Sequence, residues 1–235
     1  MEEALMRNPI KRGRPAKLSP DQIVAEAVEL IMDASGKPFS IHRLAGVLEV
    51  TPMAIYRHFR NKDELMQAVA QQLMDGLQPQ IPEADWPEQL RAWAFAARAH
   101  FLEKPALFGI LGWKEHIAGA WLRQIAVIGR IVTRTGLQKN ALAEAVQWTA
   151  NTLMGSIYFE ISSRDSGYRV SPEDLESLPP EDARIVKDIM KRLLQKDADA
   201  VFGDCVERVI EALRARSQAP VPGLPASAVR RKIPR

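Results

Sequence analysis

The chain has 235 residues, of which 46% are apolar, so it can bury a core and is not disordered throughout. One cysteine, Cys205, excludes an internal disulfide framework and a multi-thiolate metal site, and charges interrupt the apolar stretches too often for a membrane-spanning helix. The net charge of +3 is unevenly spread: residues 1–17 hold five bases against two acids, residues 37–62 five against one and residues 214–235 six against none, while residues 76–213 hold 16 bases against 19 acids.

Positive charge gathered at the two ends and in one internal segment is the pattern of a polyanion contact confined to part of the molecule. The alternative is a set of basic segments that only aid solubility. Residues 1–17 contain no apolar stretch of the secretory kind, and the expected setting is cytoplasmic.

Nearly every periodic segment has helical spacing. Ser19-Pro20 is an N-cap with proline at the first helical position, and Ile23, Ala27, Leu30, Ile31 and Ala34 form a stripe that Gly36-Lys37-Pro38 ends. Ser40 caps a short second helix with Ile41, Leu44, Ala45 and Leu48 inward. After Glu49 and Val50, a second cap-and-proline pair, Thr51-Pro52, starts a brief third helix. A fourth runs from Lys62 to Leu77, and Pro79, Pro82 and Pro87 then punctuate a boundary. The expected organisation is a basic arm at 1–17 and a helical domain at 18–78, followed by a helical body at 79–216.

In the body, Leu90 to Phe101 form one helix, Leu107 to Leu111 a short one and Trp121 to Val132 another, closed by Gly136. A long helix is expected over 141–162, a loop over 163–180 with its three prolines, and two further helices over 181–195 and 198–215. Residues 217–235 are proline-rich and expected to be a disordered tail. The fold class is all-α.

The spacing from Ser40 to Phe59 fits two short helices joined by a tight turn, a unit whose second helix enters the DNA major groove. Thr51 at the third helix's N-cap can present a hydroxyl and free N–H groups to a phosphate. Tyr56, Arg57 and His58 lie outward while Ile55 and Phe59 face inward, and Lys62 opens the next helix, where an ammonium can meet a second phosphate. Tyr56 serves the head's core as readily as a phosphate, and Arg57 can equally be solvated. The stretch Phe39-Ser40-Ile41-His42-Arg43-Leu44-Ala45, then Val50-Thr51-Pro52-Met53-Ala54-Ile55-Tyr56-Arg57-His58-Phe59 and Asn61-Lys62-Asp63-Glu64-Leu65, resembles the DNA-binding domain of TetR-family bacterial transcriptional regulators.

That resemblance spans residues 19–65 and implies an all-α, Ω-shaped homodimer: a three-helix helix-turn-helix head, then a larger helical-bundle body that binds an effector and releases DNA. It implies phosphate contacts for Ser40 and Thr51, a place near the groove edge for His42 and Arg43, and base contacts for Pro52, Met53 and Ala54. Tyr56, His58 and Lys62 match the family's phosphate-contact positions. The family often has glycine where this chain has Glu49, a substitution that costs on the order of 1 kcal/mol if the turn needs positive φ. In the arm, Arg12 and Arg14 of an Arg-Gly-Arg-Pro run suit a narrow minor groove, the alternative being a basic leader with nonspecific affinity alone.

All five tryptophans lie beyond residue 85. Trp93, Phe101, Phe108, Trp113, Trp121, Trp148 and Tyr158, with His116, Gln147 and Asn151 as polar partners, suit an apolar effector pocket; plain core is the alternative for each aromatic. The 141–162 helix has two apolar faces, one of them small, and the 181–195 segment repeats adjacent apolar pairs. Thr152, Ser156, Phe159, Ile185, Ile189, Met190 and Leu193 are thus expected at an isologous dimer seam. No metal-ligand spacing, nucleophile motif or cofactor-binding signature is visible, so no metal or cofactor is expected and the chain does not read as an enzyme. The expected partners are pseudo-palindromic double-stranded operator DNA, a small effector and a second copy of the chain, with no membrane. A helical interaction adaptor without DNA binding and a small helical enzyme are the competing readings.

Overall fold

The computed structural model describes residues 18–33, 38–111, 118–166, 171–193 and 195–218. Every regular element among them is an α-helix. Contacts gather these helices into two compact units, Met1–Gln72 and Leu73–Arg235.

The first unit is a helical head built on local signals. Helix α1 (Pro20–Met32) starts at a capping box: the Ser19 hydroxyl accepts from the Gln22 amide at 3.2 Å, and the Gln22 side chain accepts from the Ser19 amide at 3.0 Å. Helix α2 (Ile41–Val47) is capped by the Ser40 hydroxyl, which accepts from the Arg43 amide at 3.1 Å. Helix α3 is Pro52–Tyr56, and α4 is Lys62–Asp75. At the start of α4 the Asn61 side chain accepts from the Glu64 amide at 2.8 Å, while the Glu64 carboxylate accepts from the Arg60 amide at 2.6 Å. Ile23, Ala27, Leu44, Ile55, Leu65 and Val69 are wholly buried and form the centre of this unit with Phe59.

The turn between α2 and α3 closes as a Schellman motif. Val50 N–H donates to the Ala45 carbonyl at 2.9 Å and Glu49 N–H to the Gly46 carbonyl at 3.3 Å. Its left-handed position is Glu49, at φ 53°. Glycine is the usual occupant there, so the strain anticipated for this residue is present.

The second unit comprises the last turn of α4 and seven further helices. These are α5 (Trp86–Glu103), α6 (Ala106–Leu111), α7 (Ala118–Thr133), α8 (Lys139–Ser166), α9 (Pro172–Glu176), α10 (Pro180–Leu193) and α11 (Ala198–Gln218). Helix α5 packs on α7, α8 and α11, and α8 packs on α7 and α11. Leu90, Trp93 and Phe101 of α5 meet a core that includes Ile128 and Val132, Leu153 and Ile157, and Phe202, Val206, Ile210 and Leu213.

Two boundaries differ from expectation. The segment 163–180 is not one loop: α8 continues to Ser166, and α9 forms because Ser171 and Asp174 close a capping box ahead of Pro172. Helix α11 runs to Gln218, past the anticipated end at 215. The tail residues 219–235 lie outside the described residues.

Candidate nucleic-acid interface

Three features make α3 a presenting element. Pro52 sets its first turn, Ile55 anchors it to the core, and the side chains between and after them are left outside. Met53 is 66% exposed, Tyr56 and Arg57 are exposed, and Pro52, Ala54 and His58 are half-buried. The Thr51 side chain makes no capping bond to α3, which leaves its hydroxyl available as a donor or acceptor. Ser40 differs: its oxygen already accepts from Arg43 N–H, and the hydroxyl proton is what it can offer a phosphate.

His42 is exposed on α2. Arg43 is held by an ion pair to Asp33 at 2.6 Å, just past the end of α1, so a duplex meets an arginine whose carboxylate partner is already in place. Lys62 stands with its ammonium 5.8 Å from the centre of the Phe39 ring, a cation–π contact that restrains the side chain at the start of α4. Val47, exposed at the last residue of α2, was missed by sequence reasoning because a lone apolar residue at a helix end gives no periodic signal. Arg12 and Arg14 lie outside the described residues.

In the second unit, the expected effector residues separate into two groups. Phe101 meets Phe108 at 4.7 Å between ring centres with the rings tilted by 40°, and Phe108 meets Tyr158 edge-on at 5.4 Å, so α5, α6 and α8 share one aromatic run from core to surface. Trp93 is fully buried, and its indole N–H donates to the Gln124 side chain at 3.0 Å. Gln124 in turn donates to the Leu77 carbonyl at 2.9 Å. Trp121 is half-buried, whereas Gln147, Trp148 and Asn151 are exposed on the outer side of α8. Trp113 and His116 lie outside the described residues. Two polar groups appear that the sequence did not single out for a ligand. The Thr149 hydroxyl is buried without a hydrogen-bond partner, and Arg98 is buried between Glu160 at 2.7 Å and Asp199 at 2.7 Å.

His100, buried on α5, faces the Leu73 carbonyl through Nε2 at 3.0 Å, so that nitrogen carries the proton and donates. Burial, and then nearby Lys104, hold its pKa below the ordinary 6.5.

The expected seam residues lie on α8 and α10. Thr152 and Ser156 are half-buried and Phe159 is exposed on α8. Ala145 and Thr149, which share a sequence stripe with them, are buried in the chain's own core, because a stripe of that width turns partly inward. Helix α10 packs against α9 and buries none of its residues; Ile185, Ile189 and Leu193 are exposed and Met190 is half-buried. Among the described residues no cluster of His, Cys, Asp and Glu fits a metal ion, and no helix is long and apolar enough to cross a membrane.

Residues 23–69 match the family model described as "Bacterial regulatory proteins, tetR family". The "HTH-type transcriptional repressor Rv1353c" of Mycobacterium tuberculosis is 30% identical over 104 residues, which are 43% of this chain and 40% of that one. The chain thus matches well under half the length of its curated relatives. The fold is that of Streptomyces coelicolor ActR, a TetR family protein solved with actinorhodin, at a TM-score of 0.70 and 23% identity over 87% of this chain and 100% of that one. It is also that of BioQ solved with its double-stranded DNA operator, at a TM-score of 0.62 and 20% identity over 84% of this chain and 99% of that one. The family-model match is thus confined to residues 23–69 in the head, and what the chain shares with ActR and BioQ is the fold.

Proposed function

We propose that this protein is a sequence-specific DNA-binding transcriptional repressor, acting in the cytoplasm as a homodimer and released from its operator by a small, largely apolar effector. The observation that carries the reading is α3: a short helix anchored by one buried isoleucine, with Met53, Tyr56 and Arg57 exposed and the Thr51 hydroxyl uncommitted. Met53, Pro52 and Ala54 are assigned to base edges, where apolar side chains meet the thymine methyl. Ser40, Thr51, Tyr56, Arg57, His58 and Lys62 are assigned to phosphates, with His42 and Arg43 at the groove edge and Arg12 and Arg14 in the minor groove.

The arm 1–17, the head 18–78, the body 79–216 and the tail 217–235 divide these tasks. For the effector we assign the aromatic run of Phe101, Phe108 and Tyr158, together with Trp93, Trp113, His116, Trp121, Gln147, Trp148 and Asn151. Thr149 adds an unpartnered hydroxyl in the same unit. Two relatives support this division: ActR was solved with a small molecule and BioQ with operator DNA. For the dimer we assign the outer face of α8, with Thr152, Ser156 and Phe159, and the uncovered apolar face of α10, with Ile185, Ile189, Met190 and Leu193.

Mobility shift against the DNA upstream of the chain's own coding sequence tests the reading. Binding should weaken steeply with salt, as phosphate neutralisation requires, and should survive competition by random-sequence duplex. Failure to prefer that DNA over random duplex in a screen extended to neighbouring promoters would overturn it and favour an interaction adaptor.

A further inference from the structure

The head holds an acidic feature that DNA contact leaves unexplained. A groove of about 720 Å³ is lined by α1, the turn after α2 and Gln72 of α4. Its apolar lining comes from Leu18, Ala25, Leu48 and Val50, and its charged lining is Glu26, Glu29 and Glu49. The ion pairs found in the head among the described residues join Arg43 to Asp33 and Arg60 to Glu64, and neither involves a groove residue. Three carboxylates that share one groove and have no basic partner among the described residues repel a polyanion. A basic, partly apolar occupant complements both their charge and the apolar lining.

The sequence places such an occupant at the groove's edge. Leu18 lines the groove, and Lys17 is the residue before it; Arg14, Arg12 and Lys11 follow within seven residues back along the chain. From Leu18 to Arg14, extended backbone reaches up to ~14 Å. The α1 residues from Gln22 to Glu29 span about 10 Å of helix. The arm is therefore long enough, and of opposite charge, to lie along the whole acidic wall.

We propose that in the DNA-free protein the basic arm, Lys11–Lys17, occupies this groove, its cations paired with Glu26, Glu29 and Glu49 and its aliphatic stems on Leu18 and Val50. Binding a duplex takes the arm out. The groove then acts as an intramolecular competitor that suppresses attachment to nonspecific DNA. The docking stands on the groove and the arm alone; its consequence for DNA rests on the function proposed above.

Four proteins test it: the full chain and a chain lacking residues 1–15, each with the native groove or with Glu26→Gln, Glu29→Gln and Glu49→Gln together. Glutamine keeps side-chain shape, and circular dichroism checks the fold. With the arm present, neutralising the groove should tighten binding to a random-sequence duplex roughly tenfold, the coupling that two or three exposed ion pairs supply. Without the arm the gain should be no more than about twofold. In the absence of DNA, deleting the arm should shift the amide resonances of Gln22–Glu29 and Leu48–Val50, and should not shift them in the glutamine variant. Equal gains with and without the arm, or groove resonances indifferent to its deletion, would overturn the proposal. Groove resonances that move with protein concentration in the armless chain would place a second copy there and overturn it too. If no protein binds duplex at all, the DNA-binding reading falls while the resonance comparison still decides the docking.

Discussion

Glu49 carries backbone strain at the centre of the helix-turn-helix. A Schellman turn needs a left-handed residue at this position, and Glu49 supplies it at φ 53° with a Cβ that crowds the following carbonyl. Glu49→Gly should raise stability by no more than about 0.5 kcal/mol in denaturant unfolding, because the greater freedom of glycine in the unfolded chain offsets at least ~0.5 kcal/mol of the relieved strain. Thr149 is a second local fault, a hydroxyl desolvated in the core with nothing to bond. Thr149→Val should stabilise by about 1 kcal/mol, and loss of effector response in that variant would show what the hydroxyl is kept for. His100 gives the unit a pH dependence of known sign. Its folded pKa lies below 6.5, so as pH falls the unfolded chain takes up the proton first. The stability contributed by the neutral ring is complete above that value and is lost as pH drops through it toward the folded pKa. His100→Gln keeps a donor for the Leu73 carbonyl and should flatten the profile below neutrality in thermal melts.

Helices reveal their starts in sequence more readily than their partners. Ser19-Pro20, Ser40 and Thr51-Pro52 were legible as N-termini because a cap and a proline act within one turn. The ion pair of Arg98 with Glu160 was not legible, since its members are 62 residues apart and only the packing of α5 on α8 joins them. Both side chains are nearly buried, at 8% and 10% exposure, and the hydrogen bonds that Arg98 donates to Glu160 and Asp199 hold its pKa above the ordinary value. Arg98→Ala takes away the buried partner of Glu160 and leaves it only the exposed Arg164 at 2.8 Å, so it should cost about 2 kcal/mol, whereas Arg98→Met with Glu160→Leu should lose far less. The burial of the residues expected around an effector was the least legible for the same reason. Trp93 and Trp148 look alike in sequence, yet one fills the core and the other sits on the outer surface of α8. For α10 the apolar face of Ile185, Ile189 and Leu193 is exposed, with no cover among the described residues. Ile189→Asp should therefore leave the monomer folded, abolish dimerisation in analytical ultracentrifugation and weaken operator binding more than tenfold. A dimer unchanged by the substitution would remove α10 from the seam.

At the scale of the whole chain, charge and colour are segregated. Bases outnumber acids in residues 1–17, 37–62 and 214–235, whereas residues 76–213 hold 16 bases against 19 acids, which is why a sum of +3 says so little about a nucleic-acid partner. Tryptophan is segregated too: none occurs in residues 1–85, and Trp93, fully buried in the second unit, is linked through Gln124 to the Leu77 carbonyl just beyond α4. The head is therefore optically silent when tryptophan is excited, and the body reports alone. Emission that moves when a duplex is added registers an event in a unit without a helix-turn-helix, and needs no dye or engineered probe. The chain's own fluorescence thus distinguishes a duplex response confined to the head from one that reaches the second unit.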